Sequence, residues 1–346
     1  MARVEKLLKI IPRLIVIIPI PFVIIYFPIR FAAFYAEGYS IIDRFFSILL
    51  LAAEIFFVMH TITYLMNFLR STELYPSSVE RYFKEFSEKR VAVFIASFNE
   101  PAEVLEKTLA SATVCARDIG KVYLLDDSTD ESKRRDAETL AIKYGARYIH
   151  RTDRKGFKAG AINNTLKLID EEYLAILDSD QRPLPEFLTE TVSILESDPH
   201  LAFVQVPQIY TNTDVSRLAL GAHCVQLVFF EYICEGKSVT NAMFSCGSNT
   251  VFRTSALREV GGFDEKSVTE DMATSITIHE HGWASKYYNK PLVAGEGPAT
   301  LGAYFTQQGR WSLGSLGLCF RVIKDFIKNP GCMKPMQWWD YINCCN

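Results

Sequence analysis

Three short strings carry side chains whose types and spacing suit catalysis: Asp178-Ser179-Asp180, Thr269-Glu270-Asp271 and Gln307-Gln308-Gly309-Arg310-Trp311. Asp178 and Asp180 stand two apart at the end of an apolar run. On an extended backbone their carboxylates point the same way and offer hard oxygen ligands to one divalent cation, which would neutralise a diphosphate. A solvated turn entering the next helix would use the same residues. Asp271 falls in the first turn of a helix over MATSITIHEHG with Thr269 as its N-cap. There the helix dipole keeps it ionised, as a proton acceptor must be, although capping alone would also explain an acid at this place. Gln307, Arg310 and Trp311 at i, i+3 and i+4 share one helical face, where an indole offers a flat surface to a sugar ring and a guanidinium forks onto a diphosphate. The residues that follow, from Trp311 to Phe326, equally describe an amphipathic helix lying on a membrane.

Further strings suit a nucleotide. Asp126-Asp127 ends another apolar run and can accept from N–H and hydroxyl groups, or cap a turn. Lys155 to Gly160, with Arg151 and Arg154 before it, brings cations to a helix start, where charge and unpaired backbone donors converge on phosphate oxygens; an ordinary basic loop has the same composition. In Phe244-Ser245-Cys246-Gly247-Ser248-Asn249 small residues permit close approach of a ligand chain, or make a tight turn before a strand over 250–253. His279 and His281 flank Glu280 without the HExxH spacing and read as surface residues. Neither GxGxxG nor GxxxxGK[ST] occurs, so the usual nicotinamide and P-loop sites lose their main support.

The elements that must position these strings alternate. β-branched and apolar runs predict strands over 91–96, 122–126, 147–150, 173–178 and 201–206, with helices over 101–113, 131–144, 157–169 and 185–197 between them. Such alternation predicts an α/β domain, a mostly parallel sheet with helices on both faces, whose ligands sit beyond the carboxyl ends of the strands. Ser97 to Glu100, Asp126-Asp127 and Asp178 to Asp180 all cluster at those ends.

Two apolar runs precede this domain. Arg13 to Arg30 encloses sixteen uncharged residues, with Arg30 snorkelling, and Arg44 to Arg70 encloses a longer run broken only by Glu54 and His60; each reads as a membrane span. Glu54 and His60 mark a transport path or pack against other helices. Arg3, Lys6 and Lys9 before the first span, and Arg70, Arg81, Lys84, Lys89 and Arg90 after the second, place both ends in the cytosol. The net charge of -3, with scattered basic residues, excludes a nucleic-acid partner, and eight cysteines without metal spacing read as reduced cytosolic thiols.

Taken together the strings resemble the processive family 2 glycosyltransferases, which include cellulose, hyaluronan and chitin synthases, and most closely the bacterial-type cellulose synthases. The likeness runs from about residue 91 to 325 and rests on ASFNEP, DD, KAGAIN, DSD, QVPQ, FSCGS, TED and QQGRW. It implies a GT-A (Rossmann-like) domain over 88–300, two transmembrane helices within 1–75, and interfacial amphipathic helices over 301–346, the chain stopping before further membrane helices. It also implies a multi-pass protein of the plasma membrane with a cytosolic catalytic domain. The activity implied is inverting, Mg²⁺- or Mn²⁺-dependent transfer from a UDP-sugar, UDP-glucose above all, to a growing β-linked polysaccharide, with accessory synthase subunits as partners. Alternatives are a glycolipid acceptor, UDP-N-acetylglucosamine as donor, or a non-catalytic nucleotide-sugar-binding subunit. By position Ser97, Glu100, Asp127 and Lys158 would hold the nucleotide, and Asp178 and Asp180 the metal and diphosphate. Asp271 would deprotonate the acceptor; Arg310 would meet the donor diphosphate, and Cys246, Gln307 and Trp311 the acceptor. Phe98 for the usual Tyr, and Ser128 for the usual Gly after the acidic pair, are departures that bear on the uracil and ribose contacts.

Overall fold

The computed structural model describes residue 14 and residues 17–35, 38–73 and 90–343. Most of the basic residues on which the orientation was read, namely Arg3, Lys6, Lys9, Arg81, Lys84 and Lys89, lie outside them, as do Arg13 and Cys344-Cys345. The elements in chain order are α1 (Pro19–Phe34), α2 (Ile41–Glu73), β1 (Val91–Ser97), α3 (Ala102–Ala116), β2 (Gly120–Asp126), α4 (Glu131–Lys143) and β3 (Arg147–His150). There follow α5 (Phe157–Leu166), β4 (Tyr173–Asp178), β5 (Arg182–Pro183), α6 (Phe187–Ser197), β6 (Leu201–Gln205), β7 (Gln208–Tyr210) and α7 (Arg217–Val228). After a π-helical segment at Phe229–Cys234 come α8 (Glu235–Val239), β8 (Thr250–Arg253), α9 (Thr254–Glu259), α10 (Glu270–Glu280), β9 (Ala284–Tyr287), β10 (Val293–Gly295), α11 (Leu301–Lys328) and α12 (Pro335–Ile342).

Seven strands form one sheet in the order β3-β2-β1-β4-β8-β6-β9. Alternation along β1 buries both faces. Val91, Val93 and Ile95 pack with Leu105 and Leu109 of α3 and Val192 of α6, while Ala92 and Phe94 pack with Ile162 of α5 and Ile278 of α10. The sheet is mostly parallel, with one difference from expectation: β8 runs antiparallel to both β4 and β6. A second sheet, β5-β10-β7, was not foreseen; its strands are two or three residues long, too short to show a periodicity.

Among the described residues two stretches are long and apolar enough to cross a bilayer by length and composition, Ile41–Ser71 with mean hydropathy 2.1 and Arg217–Val239 with 1.3. The first expected span is described as α1 alone, whose sixteen residues rise roughly 24 Å, short of the hydrocarbon thickness. Arg30 does not snorkel. Its guanidinium meets the Glu54 carboxylate at 3.0 Å and Ser47 Oγ at 3.2 Å, because a charge between two apolar helices is held by an opposite charge where water is excluded. Glu54 is thereby a packing residue of the helix pair. The 217–239 stretch is tied at both ends to the domain, by Ser216 Oγ on Ala299 O at 3.1 Å and by Ser285 N on Asn241 Oδ1 at 2.7 Å. Tyr232 and Gly236 lean on α2 at Phe68 and Asn67.

His279 is also corrected: it is buried, with Nδ1 2.6 Å from the Tyr341 hydroxyl and Nε2 2.9 Å from Ser285 Oγ. Burial lowers its pKa to about 3, so the ring is neutral. His281 is exposed. The six cysteines described are free thiols.

Candidate active site

The carboxyl ends of β1, β2 and β4 line up in register, Ser97 opposite Asp126 and Ala96 opposite Asp178, which brings the first three strings to one edge. Asn99 holds the first two together. Its backbone turns left-handed at φ 54°, its Oδ1 accepts from Thr129 N and Asp130 N at 2.9 and 3.0 Å, and its N–H donates to Ser128 Oγ at 2.8 Å. Ser128 also donates to Asp126 Oδ1 at 2.6 Å, so the residue that departs from the family pattern bridges the two strand ends. Ser97 Oγ is buried without a hydrogen-bond partner. Asp127 accepts a fork from Arg151, at 2.7 and 2.6 Å, and that guanidinium continues to Lys155 O and Phe157 O. Arg154 lies 3.7 Å above the Phe98 ring.

Asp178 ends β4 and Asp180 follows in a turn, both half-buried. Lys158, one residue into α5, forms an ion pair with Asp178 Oδ1 and donates to Gly247 O at 2.7 Å. Burial works to lower the Lys158 pKa, but Asp178 above all, with Glu270 and Asp271, outweighs it and holds the ammonium raised. Asp180 accepts from Gln181 at 3.0 Å; burial, then Asp178 and Glu100, push it up to about 6.

Asp271 sits at the start of α10, half-buried, and its Oδ1 accepts from Met272 N at 2.8 Å. Thr269 stands at the N-cap position but its side chain makes no cap hydrogen bond. The dipole does not keep Asp271 strongly acidic: burial, reinforced by Glu270, raises it to about 7, against the pull of Lys158. Burial likewise raises Glu270. Gly247 joins these groups. Its φ is +81°, and a Cβ placed there would lie 2.9 Å from Asp271 Oδ2 and 3.7 Å from Lys158 Nζ, so only glycine lets the loop pass between the two. Cys246, beside it, is half-buried, its N–H held by Gln205 Oε1 at 2.8 Å.

The third string stands on α11. Gly314, one turn beyond it, packs directly on Thr269, where a Cβ would come within 2.4 Å of Cγ2. Arg310 is exposed and its charge acts on Glu270. Gln307 Oε1 is buried without a partner, its side chain beside Tyr210. Trp311 is partly exposed, and Leu313, Leu316 and Phe320 form an exposed apolar row on the opposite face of α11. Asp178, Lys158 and Asp271 therefore meet at the Gly247 loop, while α11 packs on Thr269 through Gly314 and leaves Arg310 and Trp311 exposed. Sequence reading missed Ser275 and Tyr210, gave Gln205 no role beyond its place in QVPQ, and read Arg151 as a phosphate-side cation where the structure pairs it with Asp127.

The mixed α/β sheet, with acidic residues gathered at its strand ends, is the GT-A glycosyltransferase fold. Residues 89–314 match the profile of Glycosyltransferase like family 2. The chain belongs to this family. It is 33% identical over 230 residues to the cellulose synthase catalytic subunit [UDP-forming] of Xanthomonas axonopodis pv. citri, covering 65% of this chain and 31% of that protein. It is 32% identical over 232 residues to cellulose synthase 2 of Novacetimonas hansenii, covering 65% and 14%. To the probable glucomannan 4-beta-mannosyltransferase 7 of Oryza sativa subsp. japonica it is 35% identical over 252 residues, covering 68% and 42%. The chain thus spans less than half the length of these relatives. Among solved structures, a mannosyltransferase from Pyrobaculum calidifontis in complex with GDP-Man and Mn²⁺ shares the fold with a TM-score of 0.64 at 19% identity, over 85% of this chain and 79% of that one.

Proposed function

We propose that the chain transfers a sugar, with inversion, from a UDP-sugar, UDP-glucose above all, to the end of a growing β-linked polysaccharide at a membrane. The observation that carries this reading is the meeting of Asp271 with the Lys158–Asp178 pair across Gly247. Asp271 takes the proton of an acceptor hydroxyl, the freed oxygen attacks the anomeric carbon, and the bond from that carbon to the diphosphate breaks with its electron pair leaving on the diphosphate. Lys158 and Arg310 neutralise that charge. Ser97, Glu100 and Asp127 hold the nucleoside; the unpartnered Ser97 hydroxyl supports this, and Asp127 keeps lone pairs beyond those that Arg151 occupies. Cys246, Gln307 and Trp311 line the acceptor side.

Mg²⁺ or Mn²⁺ fits Asp178 and Asp180. Among the described residues no cation pairs with Asp180, which is pushed up by burial and then by Asp178, so a divalent ion would relieve the crowding of negative charge. When bound, the ion would supply positive charge to the leaving diphosphate, with Asp178 and Asp180 as the residues that would hold it. The apolar row on α11, with α2 and the exposed Leu220, Val225 and Val228 of α7, supports a membrane location; the placement proposed is the plasma membrane with the catalytic domain in the cytosol.

A second reading, transfer of mannose from GDP-mannose into a β-mannan, is favoured by the 35% identity to the rice protein. Membranes containing the protein are incubated with labelled UDP-glucose, UDP-N-acetylglucosamine or GDP-mannose, and the product is digested with linkage-specific hydrolases. Polymer from UDP-glucose alone supports the first reading; polymer from GDP-mannose alone replaces it with the second; labelled lipid without polymer overturns both.

A further inference from the structure

The geometry points to Gln205 as the positioning residue that holds the two halves of the reaction in register. This rests on the sugar-transfer reading. Gln205 ends β6 opposite Thr250 of β8 and is fully buried. Its Oε1 accepts from Cys246 N at 2.8 Å and from Thr250 Oγ1 at 2.5 Å. Its Nε2 faces three carbonyl oxygens, Val206 O at 2.8 Å, Ser248 O at 2.9 Å and Asn249 O at 3.2 Å. The backbone donor at Cys246 fixes which end of the amide is oxygen. One carboxamide therefore pins the 246–249 loop along its length.

That loop touches Asp178, Lys158 and Asp271. Ser248 Oγ accepts from Asp178 N at 2.9 Å. Gly247 O accepts from Lys158 at 2.7 Å, and the Gly247 α-carbon faces Asp271. Next to the loop, Ser245 N donates to Ser275 Oγ at 2.9 Å, and Ser275 in turn donates to Asp271 O at 2.7 Å. The metal and diphosphate side is thus spaced from the base through a segment that Gln205 fastens at Cys246, Ser248 and Asn249, Asn249 being held besides by Gln181 and by the backbone of Ile176 and Val206. Small displacements between reacting groups are costly, about a hundredfold in rate for an ångström. Gln205 touches neither the strand-end residues Ser97 and Asp127 nor any reacting atom, so its loss acts on turnover rather than on nucleotide binding.

The test substitutes Gln205→Met, which keeps length and volume but removes both hydrogen-bonding ends. Turnover of labelled sugar is measured per site that binds UDP in the presence of Mn²⁺. The expected result is a fall in kcat of about a hundredfold with donor KM changed by less than about threefold. Thr250→Val, which removes one donor to Gln205 and leaves the shape of the strand, is expected to lower kcat by a few-fold, and keeps the question open to measurement should Gln205→Met not fold. Ser275→Ala combined with either variant should cost less than the product of the single effects, since both act through the same loop. Unchanged kcat per UDP-binding site in Gln205→Met, or in Thr250→Val where the former does not fold, overturns the assignment, as does a loss confined to KM. An inactive wild type with every donor would instead overturn the sugar-transfer reading itself.

Discussion

The chain carries two acidic pairs, one at a strand end and one at a helix start, and their settings make different tools of the same side chains. Asp178 meets the Lys158 ammonium and takes its place on the sheet edge through Ser248, while Asp180 beside it is raised to about 6 by burial and by its neighbour. Such a pair is short of positive charge and suited to a divalent ion. Among the described residues no cation forms an ion pair with Asp271; it faces the bare α-carbon of Gly247, and burial with Glu270 lifts it to about 7 against the pull of Lys158. A carboxylate poised near neutral pH can take a proton and give it up again. Spacing alone, DxD against ED, does not teach this division; the surroundings do.

The largest effect expected to break the comparison is Asp271→Asn. An amide of the same shape cannot accept the proton, so transfer should fall by about a thousandfold while UDP binding in Mn²⁺ stays near wild type. Turnover equal to wild type would remove Asp271 from the chemistry. Asp180→Ala should do the reverse: calorimetry should show Mn²⁺-dependent UDP affinity lowered by roughly tenfold or more, with the metal-free affinity unchanged. Next in size is Gly247→Ala, which forces a methyl at φ +81° to within 2.9 Å of Asp271 Oδ2. It should slow transfer by about tenfold, and an unaltered rate would mean that the loop gives way freely.

How legible this was depended on sequence distance. The strands carrying Ser97, Asp126-Asp127 and Asp178 announce themselves by apolar runs that end abruptly in acids, and the parallel alternation places those ends together. The antiparallel β8 was read as a strand, but nothing in an apolar run tells the direction in which it inserts. His279 looked like a surface residue because its partners, Ser285 and Tyr341, are six and sixty-two residues away. Gln205 escaped for the same reason: its loop partners lie forty-one to forty-five residues downstream. The rise of the Asp271 pKa was invisible as well, since a helix start argues for acidity and only the packed loop argues against it.

The smallest effect sharpens the comparison through pH. Transfer should follow the ionised fraction of Asp271, falling about tenfold per unit as pH drops below about 7. The same shift bears on stability with a definite sign. In the folded chain the carboxyl titrates at about 7 against an ordinary value of 3.8, so folding favours its protonated form. The cost of burying the charge is present in full above pH 7 and is relieved as pH falls through 7 toward 4. Asp271→Asn, which carries no charge at any pH, should therefore raise the melting temperature at pH 8 by a few degrees and lose most of that gain near pH 5. Asp180→Asn should show the same pattern about one pH unit lower, and Mn²⁺ with UDP should erase the difference at Asp180 by giving the wild-type carboxylate its missing charge. Equal melting temperatures for Asp271→Asn and wild type at pH 8 would mean that the loop leaves Asp271 open to water, and the base and the metal pair would no longer be distinguished by their surroundings.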